Sequence, residues 1–182
     1  MREAEVREAA RIVGVREIEL LPYEDPKLWS APEDEIRLHL VSAIRRQRPT
    51  IVITFDPNGA NQHTDHIAIS RFAMDAVSAA ADERWYPEAG PAHAVERVLW
   101  EAPIHSFQLA SAPNVRQQPG IDFLIDVAEF REKKQAAARA HRTQYPGLSS
   151  IFNSDSTFAW EAFRVGWGPR PAQVPAGDLW PS

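Results

Sequence analysis

Apolar residues recur at helical spacing in the first turns of the chain: Val6, Ala9, Ala10 and Val13 share a face, and Gly14 stands where a left-handed C-cap closes a helix. Val15 to Leu21 is short, carries branched residues and ends before Pro22, which predicts a strand. Ser30 and Glu33 have capping-box spacing ahead of Ile36, Leu40, Val41 and Ile44, and Arg48-Pro49 stops that second helix. Ile51-Val-Ile-Thr-Phe55 is a near-continuous apolar run, the pattern of a parallel strand covered on both faces. The helical period returns from Ile69 through Phe72, Ala73, Ala76 and Val77 to Ala80. Strands are expected again at Arg97 to Trp100 and Phe123 to Ile125, and Asp126 is placed to cap a helix that turns Val127, Phe130, Ala137 and Ala138 inward. Alternating strands and helices predict βα units and an α/β fold, a doubly wound and mainly parallel sheet.

Residues 84–96 and 103–120 are rich in Pro, Gly, Ala and Gln and read as loops over the mouth of the sheet. Residues 165–182 carry too many prolines for regular structure and read as an extended tail. With 182 residues, 44% of them hydrophobic and 25% charged, the chain has the composition of one globular domain, and a domain of this length buries roughly 70% of its unfolded surface. The net charge of −5 speaks against a nucleic-acid partner, which selects for a basic face. The absence of cysteine limits any zinc to nitrogen and oxygen ligands and agrees with a reducing, cytoplasmic setting. No apolar run approaches the roughly 20 residues of a membrane span, and MREAEVREAA has no signal-peptide core.

The chemistry concentrates in DPNGANQHTDHIAIS, residues 56–70. Ligands of open parallel sheets bind beyond the carboxyl ends of the strands, where the loop after Phe55 falls. Asn58, Gly59 and Ala60 suit a tight turn, and Thr64 or Asp65 can cap the helix that follows. His63 and His66 then project from one loop-helix junction, with Asp65 able to orient a ring. The same spacing also suits the polar start of an ordinary helix, and two histidines do not complete a zinc shell. His39 reads as a half-buried structural side chain, His93 and His105 as loop residues, and His141 as an anchor of the late helix. The six tryptophans read as packing residues, with Trp167 or Trp180 the candidates for stacking on a sugar.

TFDPNGANQHTDHIAISR resembles the second signature of the PIG-L/LmbE-like family of zinc-dependent N-acetylglucosaminyl deacetylases, in which a glycine-containing loop leads into His-Pro-Asp-His and a helix. Further matches follow the family's order: Arg2, Glu5, Ala9, Ala10 and Gly14; then Lys134, Ala137 and His141-Arg-Thr-Gln144; then Glu161 and Phe163. They span about residues 1–164, with 1–182 read as a single LmbE-like domain. The resemblance implies a Rossmann-like fold and hydrolysis of an N-acetyl group on an amino-sugar conjugate, with Zn2+ as cofactor. It implies His66 as a zinc ligand, His63 as the group that polarises the amide carbonyl, Asp65 as its tuning partner, and Arg2 and Asp25 as sugar contacts.

The family's first signature, Ala-His-Pro-Asp-Asp-Glu, supplies the remaining zinc ligands and the general base, and it occurs nowhere in the 182 residues. Thr64 stands where the family has proline. The reading is therefore of an N-terminally incomplete domain, through a misplaced start or a broken gene, inactive as this chain. Its rivals are a non-catalytic remnant that binds a sugar or a partner protein, and a chain completed by a separate polypeptide.

Overall fold

The computed structural model describes residues 2–102, 120–146 and 159–180. In chain order its elements are α1 (Arg2–Val13), α2 (Glu33–Gln47), β1 (Ile51–Phe55), the single turn α3 (Gly59–Gln62), α4 (Thr64–Ala80), β2 (Arg97–Glu101), β3 (Phe123–Asp126), α5 (Arg131–Ala140) and β4 (Trp160–Trp167). This is the α/β class expected from the pattern. Two compact units divide the chain, one of residues 1–22, 104–162 and 173–182, the other of 23–103 and 163–172. The loop at 103–120 lies almost wholly outside the described residues, as does His105.

In the first unit, α1 stops where Gly14 takes φ +91, and the N–H groups of Gly14 and Val15 both return to the Ala10 carbonyl. Ala9 of α1 packs on Ala137 and Ala140 of α5, three small side chains that let the helices approach closely. Glu5 is buried and accepts from Thr143, at 3.1 Å from the N–H and 2.7 Å from the hydroxyl, so its charge is hydrogen-bonded rather than stranded. Lys134 of α5 reaches Glu161 of β4 at 2.5 Å.

Three expectations change here. Val15 to Leu21 forms no strand: no described strand lies beside it, and Val15 and Leu20 stay exposed. Phe130 is exposed, because Asp126 accepts the Ala128 N–H and caps a tighter turn over Ala128–Phe130, so α5 begins one residue later. The tail is partly ordered by the sheet: residues 165–167 complete β4, and Ala176 bridges Phe123 with backbone bonds of 2.9 Å to Leu124 and to Asp122.

In the second unit β1 runs parallel to β2, from Ile51 opposite Arg97 to Phe55 opposite Glu101. β4 runs antiparallel on the other side of β2, which makes the sheet mixed, a common arrangement for α/β domains. α4 covers one face, with Val77 and Met74 against Val52, Val95 and Val98. α2 packs behind α4, with Val41 on Ala76, Ala79 and Ala80, and Ile36 on Ala68 and Phe72. Ser30 bonds the Lys27 carbonyl instead of capping α2, which starts behind Pro32 with Glu33, Asp34 and Glu35 at the positive end of its dipole. β1 is less enclosed than its apolar run predicts: it has no ladder partner on its outer edge among the described residues, and Ile53 is 52% exposed.

Arg45 of α2 is 3% exposed and hydrogen-bonds no carboxylate among the described residues, although, with the hydrogen bonds from Arg84, its charge helps hold the nearby Asp82 carboxyl low. Its guanidinium instead donates to the carbonyls of Ala79 (3.2 Å), Ala80 (3.2 Å), Asp82 (2.9 Å), Trp85 (2.8 Å), Tyr86 (2.7 Å) and Gly90 (3.2 Å). The cation closes the negative end of α4 and gathers the loop that follows.

Candidate functional site

The chain leaves β1 at Phe55 and turns at once around Asp56, which is 3% exposed. Its Oδ1 accepts the Ala60 N–H at 2.9 Å and its carbonyl accepts the Gly59 N–H at 2.8 Å. Gly59, Ala60 and Gln62 have φ of 63, 60 and 65°, so α3 is a left-handed turn. Glycine is required at its first position: a Cβ there would stand 2.8 Å from the Ile67 nitrogen and 2.9 Å from the His66 Cβ.

That close approach lays the Gly59 carbonyl against His66, whose Nδ1 lies 3.2 Å from it. Nδ1 therefore carries the proton and donates it, leaving the Nε2 lone pair available. The ring is also stacked on Phe55, with centroids 3.9 Å apart and planes 4° from parallel. His66 is thus fixed in tautomer by the carbonyl and in orientation by the stack.

His63, rather than Thr64 or Asp65, is the N-cap of α4, and its Nδ1 accepts the Asp65 N–H at 3.2 Å. The histidine's proton then sits on Nε2, which faces Asp25 Oδ1 at 3.5 Å. Asp65 touches His63 through its backbone, and the carboxylate facing the ring is that of Asp25. One ligand atom each from Asp25, His63 and Asp65 lie within 4.8 Å of one another. Asp65 Oδ1 is buried with no hydrogen-bond partner, at the positive end of α4. The His66 ring centroid is 4.7 Å from that of His63.

The 23–31 segment that presents Asp25 is anchored on both sides. Tyr23, Leu28 and Ala31 pack on the cluster of Ile36, Ala68 and Phe72, and the Tyr23 hydroxyl donates to Glu35 at 2.7 Å. Burial, reinforced by that carboxylate, pushes the Tyr23 phenol up to about 12. The Asp25 side chain itself remains 59% exposed.

The donor set fits a divalent cation. It offers a carboxylate oxygen each from Asp25 and Asp65 and a ring nitrogen of His63, all nitrogen or oxygen, and the His66 ring lies beside that of His63. The structure brings together Asp25, His63, Asp65 and His66. Arg2 opens α1 in the other unit, exposed. Sequence reasoning missed Phe55 and Asp56 as supports; the signal was present in an aromatic at the strand end and an aspartate four residues before a non-glycine left-handed position. His93 is held by the Pro49 carbonyl, 2.8 Å from its Nε2.

Comparison with known proteins bears on the same segment. The family profile described as PIG-L: GlcNAc-PI de-N-acetylase matches residues 1–77. A 1D-myo-inositol 2-acetamido-2-deoxy-alpha-D-glucopyranoside deacetylase of Streptomyces scabiei is 34% identical over 155 residues, 72% of this chain and 48% of that one. The enzyme of the same name numbered 1 in Catenulispora acidiphila is 42% identical over 151 residues, 69% of this chain and 46% of that one. The chain thus spans about half the length of these curated relatives. Among solved structures, the conserved protein TT1542 of Thermus thermophilus superposes with a TM-score of 0.73 at 26% identity, covering 97% of this chain and 77% of that one. N,N'-diacetylchitobiose deacetylase of Pyrococcus horikoshii shares the fold with a TM-score of 0.68 at 20% identity, over 90% of this chain and 62% of that one.

Proposed function

We propose, from the premise that this chain belongs to the PIG-L/LmbE-like deacetylase family, that it carries one flank of a zinc-dependent site for removing the acetyl group of an N-acetylglucosamine conjugate. The observation that carries the reading is His66, with Nδ1 tied to Gly59 and its ring 4.7 Å from that of His63, which is grouped with Asp25 and Asp65. His66 would hold the metal. Bound zinc supplies Lewis-acid polarisation and a water acidic enough to ionise near neutral pH.

The chain's own residues do the rest by position. His63 keeps its proton on Nε2 because Nδ1 is occupied by the Asp65 N–H, so it presents a hydrogen-bond donor. In the free protein that donor faces Asp25; with substrate bound it would turn to the amide oxygen, where negative charge develops. Asp25, released from His63, would accept from a sugar hydroxyl. Arg2 is proposed as a second sugar contact. A donor of this kind contributes on the order of 10²–10³ in rate, and its loss in His63→Ala should appear in kcat.

The first family signature is absent from the 182 residues, and turnover by this chain alone is expected to fall below detection. The test is two-part. In a chain completed with the family's His-Pro-Asp-Asp segment, zinc stoichiometry should drop to zero in His66→Ala, and unchanged stoichiometry would overturn the ligand assignment. A chain joined to a family segment bearing His-Pro-Asp-Asp should release fluorescamine-reactive amine from an N-acetylglucosamine conjugate. No amine from the joined chain would favour a remnant that binds a sugar or partner protein without cleaving.

A further inference from the structure

The sequence offers Trp167 and Trp180 as sugar-stacking residues, and the structure turns attention to a third indole. Trp167 pairs with Val98 near the start of β2, whereas Phe55, which carries the His66 stack, pairs with Glu101 at its end. Trp167 therefore lies at the opposite end of the parallel pair from the histidines. Trp180 belongs to the other unit. Trp29 shares both the unit and the neighbourhood of the site: it is 60% exposed, in the turn Leu28–Ser30 that follows Asp25.

That turn is firmly held. The Lys27 N–H donates to the Glu24 carbonyl at 2.7 Å, the Ser30 N–H and hydroxyl to the Lys27 carbonyl at 3.1 and 2.9 Å, and the Ala31 N–H to the Leu28 carbonyl at 3.1 Å. Leu28 and Ala31 pack on Ile36, Ala68 and Phe72, and Ala68 lies in the second turn of the helix that His63 caps, the residue 3.5 Å from Asp25. Trp29, between those two inward residues, points out. Four residues separate it from Asp25, a span of at most about 14 Å for an extended chain and less through consecutive tight turns. One bound disaccharide bridges that gap.

Exposure of one tryptophan is ordinary on a protein surface, so the ring's company matters. Trp85, 47% exposed, has the Arg37 guanidinium 5.4 Å from its centroid and the Tyr86 ring at 6.0 Å. Among the described residues no cation or aromatic ring lies against Trp29, and no hydrogen bond takes its Nε1–H. An indole so presented, on an anchored turn beside a carboxylate, matches the two aspects of a saturated sugar ring: a C–H face that buries apolar surface on the indole, and a hydroxyl rim that donates to Asp25. A hydrocarbon chain would cover the indole and bring no donor to the carboxylate. Resting on the reading of Asp25 as a contact of the N-acetylated sugar, we infer that Trp29 is a specificity-determining residue: its indole stacks on the ring joined to that sugar, and the preferred substrates are conjugates with a second saturated, hydroxylated ring.

The probes are N-acetylglucosamine and its β-1,4-linked dimer, titrated into the 182-residue protein while the Trp29 indole N–H, assigned through Trp29→Phe, is followed by NMR. The dimer should shift that signal saturably and bind roughly tenfold tighter than the single sugar. Trp29→Ala should remove the dimer's advantage and leave affinity for the single sugar within about twofold, with the melting temperature unchanged because the exposed side chain supports no core. Trp29→Tyr, a smaller ring, should keep part of the advantage. Equal affinity for the two sugars, no binding of either, equal losses for both in Trp29→Ala, or a shift produced by octyl N-acetylglucosaminide and not by the dimer would overturn the inference. Asp25→Asn separates it from the reading beneath it: that variant should weaken both sugars alike, and if it leaves both unchanged the Asp25 contact fails, whereas the dimer-to-single ratio reports on Trp29 alone.

Discussion

Replacing Arg45 by methionine tests a buried cation whose hydrogen bonds all go to backbone carbonyls. The guanidinium has five N–H groups for six carbonyls, so one donor is shared. Four of those carbonyls also accept a backbone N–H: Ala79 from Asp82, Ala80 from His93, Asp82 from Trp85 and Tyr86 from Ala89. The variant therefore strips the donor mainly from Trp85 and Gly90, at about 1–3 kcal/mol each. Removing a buried charge recovers part of that, since methionine fills similar volume without a desolvation penalty. The net expectation is a loss of about 3 kcal/mol, which for a urea slope of about 2 kcal/mol/M moves the midpoint down by roughly 1.5 M. Tryptophan fluorescence in urea measures it, and amide exchange should accelerate at residues 81–90 well before it does in β1 and β2. Arg45→Lys, with three donors on one point, should lose about half as much. A midpoint within about 0.3 M of the parent would refute the reasoning, because the carbonyls would then be satisfied without the fork.

Gly59→Ala should cost about 2 kcal/mol, from left-handed strain plus contact with the start of α4, and should break the Gly59–His66 bond. Imidazole ¹⁵N shifts would show His66 losing its fixed tautomer; unchanged shifts and unchanged zinc affinity would refute that dependence. Tyr23 has its phenol raised, so its neutral form is favoured by folding; the contribution is complete below the unfolded value near 10 and is lost as pH rises toward 12. One of the three tyrosines should titrate late by phenolate absorbance, and Tyr23→Phe should remove that decline in stability above pH 10. Glu5→Gln keeps an acceptor for one of the two Thr143 bonds and should lose about 1–2 kcal/mol in thermal or urea unfolding.

What the sequence revealed was whatever depended on local periodicity. Ile51–Phe55, the helix over 2–13 with its Gly14 cap, and the helix running to Ala80 follow from apolar spacing and turn residues. What it concealed was set by partners distant in the chain. Ser30 and Glu33 have capping-box spacing, yet Ser30 turns back to Lys27; Val15 to Leu21 has strand character and no described strand beside it. Phe130 is apolar and helical by spacing but lies in a tighter turn dictated by Asp126. At the site, His63 and His66 stood out by their spacing together with the family-like string around them. Their tautomers did not, because one is fixed by a carbonyl in a left-handed turn and the other by the helix cap it became. The antiparallel sense of β4 and its bulge at Gly166 arise from pairing, which no window of sequence contains.

The left-handed turn at Gly59–Gln62 has a chemical corollary. Ala60 and Gln62 sit where an L-residue pays roughly 1–2 kcal/mol each, and where the mirror-image amino acid would be at rest. Stereochemistry, rather than side-chain identity, is what opposes this turn. A protein assembled by ligation with D-alanine at position 60 would keep every contact Asp56 makes there and drop the penalty. The backbone that holds His66 in place is thus written, at two positions, in the opposite hand from the rest of the chain.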